Sequence, residues 1–77
     1  MKVLCDCGKR GSARKFLVQD KNKRLYTCYY YIGNPLQNFA VDEKENLILD
    51  SYLLSDIIIT CGNYVFYNYK GWNLFQL

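Results

Sequence analysis

Four cysteines and the absence of histidine bound the chemistry open to this 77-residue chain. Without imidazole there is no Ser–His or Cys–His nucleophile pair, and no zinc site that uses histidine. Neither a Walker glycine loop nor a dinucleotide fingerprint is present. Asp42, Glu43 and Glu45 lie in a polar run that reads as solvated. Asp50 and Asp56, flanked by apolar residues, are left as the candidates for perturbed acids. A small chain without a base or a cofactor motif is expected to bind rather than catalyse, with no catalytic residue and no required cofactor.

The thiols offer the other chemistry. Cys5-Asp6-Cys7-Gly8 sets two of them one residue apart, and Cys28 and Cys61 stand alone. Four thiolates are the number that a tetrahedral zinc takes, and a Cys5/Cys7/Cys28/Cys61 site would add its binding energy directly to folding. The spacing is poor for this, because zinc ribbons present two Cys-x₂₋₄-Cys knuckles. On an extended strand Cys5 and Cys7 would also sit about 6–7 Å apart, so a shared metal needs a turn at residues 6–8. The plainer expectation is that Cys28 and Cys61 are small buried apolar residues of strands, with metal ranked second and disulfides last.

Charge and aromatic content define two candidate surfaces. Residues 1–34 carry eight Lys/Arg against two Asp, whereas residues 35–77 carry two Lys against five Asp/Glu. A basic half steers anionic partners. In a nucleic-acid reading, Lys9, Arg10, Arg14, Lys15, Lys21, Lys23 and Arg24 meet phosphate, and Tyr26 or Tyr30 stacks a base. The thirteen aromatics, eight of them tyrosine, support a protein-binding reading more directly. A domain this small cannot hide them all, and Tyr and Trp are enriched at interface hot spots.

The elements that must position these residues read as strands. Ile57-Ile58-Ile59-Thr60-Cys61, then Gly62-Asn63, then Tyr64-Val65-Phe66-Tyr67-Asn68-Tyr69 carries the pattern of a two-residue hairpin. Lys70-Gly71 introduces a third strand, 72–77. The resulting three-stranded meander sets Tyr67 beside Leu74 and Tyr69 beside Trp72, and the face Tyr67/Tyr69/Trp72/Leu74 is the expected protein-docking surface. An earlier hairpin joins 14–19 to 24–32 across Asp20-Lys21-Asn22-Lys23, and Gly33-Asn34-Pro35 ends it. Residues 2–7 read as a short first strand.

The middle has two readings. One is a short buried helix over 43–54, entered at Asp42; the other is a hairpin pairing 39–42 with 46–50 across an acidic turn. The β-rich surroundings favour the hairpin.

Taken together, residues 1–77 form one small, mainly β domain of antiparallel hairpins, or α+β if 43–54 is helical. It is a non-enzymatic protein-interaction, inhibitor or modulator module, and a viral or mobile-element origin is compatible with that. The alternative is a nucleic-acid-binding module, stabilised by the Cys₄ zinc site if that forms. The expected partner is a larger protein, or nucleic acid in the alternative. Self-association through aromatics or edge strands stays open. No stretch reaches the roughly 18 apolar residues that span a bilayer, and a cytoplasmic location is expected.

Overall fold

Strand alternation builds the sheet. In Ala13–Gln19 Phe16 and Val18 are buried at alternate positions, and in Leu25–Tyr30 Tyr26 and Cys28, so one side of each strand faces the interior. The computed structural model describes residues 1–68 and places four antiparallel strands in the order β1-β2-β3-β4: β1 Lys2–Arg10, β2 Ala13–Gln19, β3 Leu25–Tyr30 and β4 Phe39–Asp42. A single 3₁₀ turn, Pro35–Gln37, follows β3, and one helix, α1 Ser51–Asn68, closes the described chain. The expected small antiparallel sheet of hairpins is present, with α+β content. No described helix is long and apolar enough to cross a membrane.

Two aspartates organise the turns at one end of the sheet. Asp20 Oδ1 accepts the N–H groups of Asn22 at 2.8 Å and Arg24 at 2.9 Å, and its Oδ2 accepts the Tyr26 hydroxyl at 2.9 Å. Asp42 Oδ1 accepts the N–H groups of Lys44 and Asn46, each at 2.9 Å. In each turn the fourth residue adopts a left-handed backbone, Lys23 at φ 65° and Glu45 at φ 63°. Asp-x-x-x-Arg and Asp-x-x-x-Asn are thus one turn built twice, with the carboxylate mimicking a backbone acceptor.

The hairpin reading of the middle holds. Ile48 N–H donates to the Ala40 carbonyl at 2.9 Å, Asp42 N–H donates to the Asn46 carbonyl at 2.9 Å, and Val41 bridges Leu47. The helix begins later. Asp50 Oδ1 caps it by accepting the N–H groups of Tyr52 at 2.9 Å and Leu53 at 3.2 Å.

Residues 57–68 correct the meander, because they are helical. Ile57, Cys61 and Val65 are buried at fourth-residue spacing, and Leu53, Leu54, Ile58 and Tyr64 pack beside them on the sheet. The stripe was hidden because the outer side of the helix is apolar too, with Tyr52, Ile59 and Tyr67 exposed. Poor helix formers such as Ile and Thr cost only about 0.5 kcal/mol each, and burial against a sheet outweighs this.

Gly62 is also not a turn residue. It lies inside α1, where a Cβ would come within 3.1 Å of the Tyr30 hydroxyl, so the missing side chain lets helix and sheet approach. The third strand expected over 72–77, with Tyr69, Trp72 and Leu74, lies outside the described residues.

The core sits between the sheet and α1. Phe16, Val18, Tyr26, Cys28 and Ala40 come from the strands, and Ile57, Cys61 and Val65 from the helix.

Candidate docking face

The residues between the core positions point away from α1. Across the ladder, Cys5 pairs with Leu17, Leu17 with Thr27, and Thr27 with Val41; in the next row Lys15 pairs with Tyr29, and Tyr29 with Phe39. These two rows form the opposite face of the sheet, and no other described element covers it. Antiparallel sheets with one solvated face normally carry polar residues there. Here the face is instead Leu17, Leu25, Thr27, Tyr29, Phe39 and Val41, all half-buried. Tyr29 and Phe39 stack with centroids 4.7 Å apart and planes 17° from parallel. These residues line a groove of about 610 Å³, with Lys15 beside them and Asp42, Glu43 and Glu45 also in its lining.

Electrostatics distinguish the two turns beside this groove. The Asp20 turn carries Lys21, Lys23 and Arg24, whereas the Asp42 turn carries Glu43, Lys44 and Glu45. They are tied together by the Leu25 N–H, which donates to Glu43 Oε1 at 3.1 Å. Partial desolvation opposes ionisation of Asp20, but hydrogen bonds from Arg24, Tyr26 and Asn22 outweigh it and hold the carboxyl below its ordinary range. The Asn46 N–H, helped by Lys44, does the same for Asp42. Burial, then the Asp20 carboxylate, pushes the Tyr26 hydroxyl up. Asp50 and Asp56, the two expected perturbed acids, are both exposed, Asp50 just ahead of α1 and Asp56 within it. Asp50 serves as its cap, and the Asp56 carbonyl accepts the Thr60 hydroxyl at 2.7 Å.

Of the docking residues expected on a C-terminal sheet face, Tyr67 lies among the described residues, and Tyr69, Trp72 and Leu74 lie outside them. Tyr67 is 62% exposed, on the helix and not on a strand, and it meets Phe66 edge-on at 5.5 Å. The nucleic-acid set is also dispersed. Lys9 and Arg10 lie at one end of β2, and Lys21, Lys23 and Arg24 at the other; seven residues of strand separate them, about 23 Å. The Asp6 carboxylate holds Arg14 Nη1 at 3.0 Å. Tyr26 is a core residue bonded to Asp20, and Tyr30 packs edge-on to Phe16 at 6.4 Å, so neither is a free stacking platform. Lys15 alone of the set lies in the groove.

The cysteines separate into two pairs. Cys28 and Cys61 are fully buried, and a thiol hydrogen bond to Cys61 followed by burial raises Cys28 well above the ordinary cysteine value. Cys5 and Cys7 are exposed, with their Sγ atoms 3.6 Å apart. Among the described residues no group of three or more Cys, Asp or Glu is placed to hold a metal, and the four thiols do not fit one zinc ion. The plainer expectation for Cys28 and Cys61, small buried residues, describes their burial, although Cys61 is on the helix.

The face missed by sequence reasoning left a signal. Leu17, Leu25, Tyr29, Phe39 and Val41 are the odd-numbered partners of the core positions, so both phases of the strand alternation are apolar. Neither a protein-family model, a curated protein nor a solved structure matches this chain.

Proposed function

We propose that this chain is a non-enzymatic binding module that docks a larger protein on the open face of its sheet. The observation that supports this is an apolar, aromatic-lined groove on the side of the sheet opposite α1. The acidic side chains of Asp42, Glu43 and Glu45 in its lining define the complement: an apolar or aromatic side chain adjoining a lysine or arginine. Tyr29 and Phe39 supply a rigid contact area that loses little side-chain entropy on binding.

A selection from a displayed random-peptide library tests the reading. The full chain serves as bait, with counter-selection against Thr27→Lys, which puts a charge at the centre of the face. The expected result is enrichment of peptides with an aromatic or aliphatic residue next to Lys or Arg. They should bind at least about tenfold less tightly to Thr27→Lys, a difference of about 1.4 kcal/mol. Absence of enrichment, or equal binding to bait and variant, would remove the proposal. So would photo-crosslinks from this face that reach only a second copy or residues 69–77 of the same chain.

A further inference from the structure

The exposed thiol pair is organised by its surroundings. Residues two apart on a regular strand point the same way but stand about 6–7 Å apart. In β1 the register shifts between Val3 and Cys5 and again between Asp6 and Lys9. These breaks draw Cys5 Sγ and Cys7 Sγ to 3.6 Å. Gly8, at φ +90°, takes a backbone conformation that side chains rarely adopt, and its N–H donates to Asp6 Oδ1 at 3.0 Å. The same carboxylate takes Arg14 Nη1 at 3.0 and 3.1 Å, anchoring the segment between the thiols to β2. A regular strand with unanchored side chains would not hold two thiols in contact.

The 3.6 Å separation suits two thiolates on one ion. Thiolates bound tetrahedrally at about 2.3 Å from one ion lie about 3.8 Å apart, close to the observed spacing. A disulfide requires about 2.05 Å and an oxidant. We propose that Cys5 and Cys7 form a two-thiolate chelate for a soft divalent ion of the Zn²⁺ or Cd²⁺ class, with the remaining coordination positions open. The chelate does not rest on the docking reading, although Cys5 stands at the β1 end of one row of that face, and it differs from a four-cysteine site because Cys28 and Cys61 are sealed in the core.

Binding forms two metal–sulfur bonds and releases two protons to solvent, with no change of oxidation state. The divalent charge is balanced by the two thiolates. Because each thiol must give up its proton to bind, metal capture competes with protons. Soft thiolates select against Mg²⁺ and Ca²⁺, which take oxygen ligands.

Titration of the reduced, untagged full chain with Cd²⁺, read by thiolate-to-metal charge-transfer absorption and by proton release, tests this. The expected result is one ion per chain and two protons per ion, with affinity falling about a hundredfold per pH unit where both thiols are protonated. The double variant Cys5→Ser/Cys7→Ser should lose the absorption and keep its circular dichroism, since both positions are exposed. In the wild type, bound Cd²⁺ should protect Cys5 and Cys7 from alkylation. Absorption that persists in the double variant would overturn the proposal. Half an ion per chain with a dimeric mass, or no saturable absorption, would do so as well.

Discussion

The two faces of the sheet are made from alternate residues of the same strands and meet different fates. On β2, Phe16 and Val18 are fully buried beneath α1, while Leu17 between them stays half-exposed on the other side. On β3, Tyr26 and Cys28 enter the core, and Leu25, Thr27 and Tyr29 line the groove. The cysteines obey the same division, with Cys28 and Cys61 inside and Cys5 and Cys7 outside. Composition does not separate these faces, since both carry aliphatic and aromatic residues. What separates them is a helix with an apolar stripe of matching length, which can lie on only one side. The face left over keeps part of its apolar area open to solvent.

Substitution across that divide should give the largest contrast. Phe16→Ala removes a fully buried ring and is expected to cost about 3–5 kcal/mol, a large share of the stability of so small a domain. Leu17→Ala, one residue away, should cost about 1 kcal/mol or less. Urea denaturation of the two variants measures both values, and similar costs would mean that the open face is covered after all.

A polar atom at the cysteines sharpens the comparison at a smaller scale. Cys28→Ser buries a hydroxyl in the apolar core and is expected to cost about 1–3 kcal/mol, whereas Cys5→Ser should be silent. Brief alkylation of the native protein should correspondingly label Cys5 and Cys7 and spare the other two.

The paired turns predict an acid limb. The folded state holds the Asp20 and Asp42 carboxyls below their ordinary values. The stability they contribute is therefore complete above about pH 4 and is lost as the pH falls through their depressed values. Asp20→Asn/Asp42→Asn should be less stable than wild type at neutral pH, with the gap closing in acid. A gap independent of pH would show that the side-chain shape, and not the charge, holds the turns.

The smallest effect belongs to the left-handed positions. Lys23→Gly or Glu45→Gly relieves a backbone conformation unfavourable to a side chain, and each should stabilise the fold by about 0.5 kcal/mol, seen as a higher thermal midpoint. Neither should alter metal capture at Cys5 and Cys7.

The hairpins at Asp20 and Asp42 were legible because their signals are local. The Asp20 and Asp42 turns are specified within five residues each, and Gly33-Asn34-Pro35 stops β3. The helix was not legible from residue type. Three consecutive isoleucines, a Gly-Asn pair and a tyrosine run satisfy the hairpin pattern as well as they satisfy a helix. The groove shared that fate, because its residues were legible as strands but not as the uncovered side.

By itself, the sequence determined that no imidazole chemistry is open to the chain, that aspartates shape its turns, and that its strands are apolar in both phases. Tertiary structure alone decided that 51–68 coils into a helix, which sheet face it covers, and which thiols come together. Turn chemistry is settled by atoms a few residues apart, and folding does not change it. An apolar, β-branched segment suits strand and helix alike, so its state follows from the surface available for it to cover.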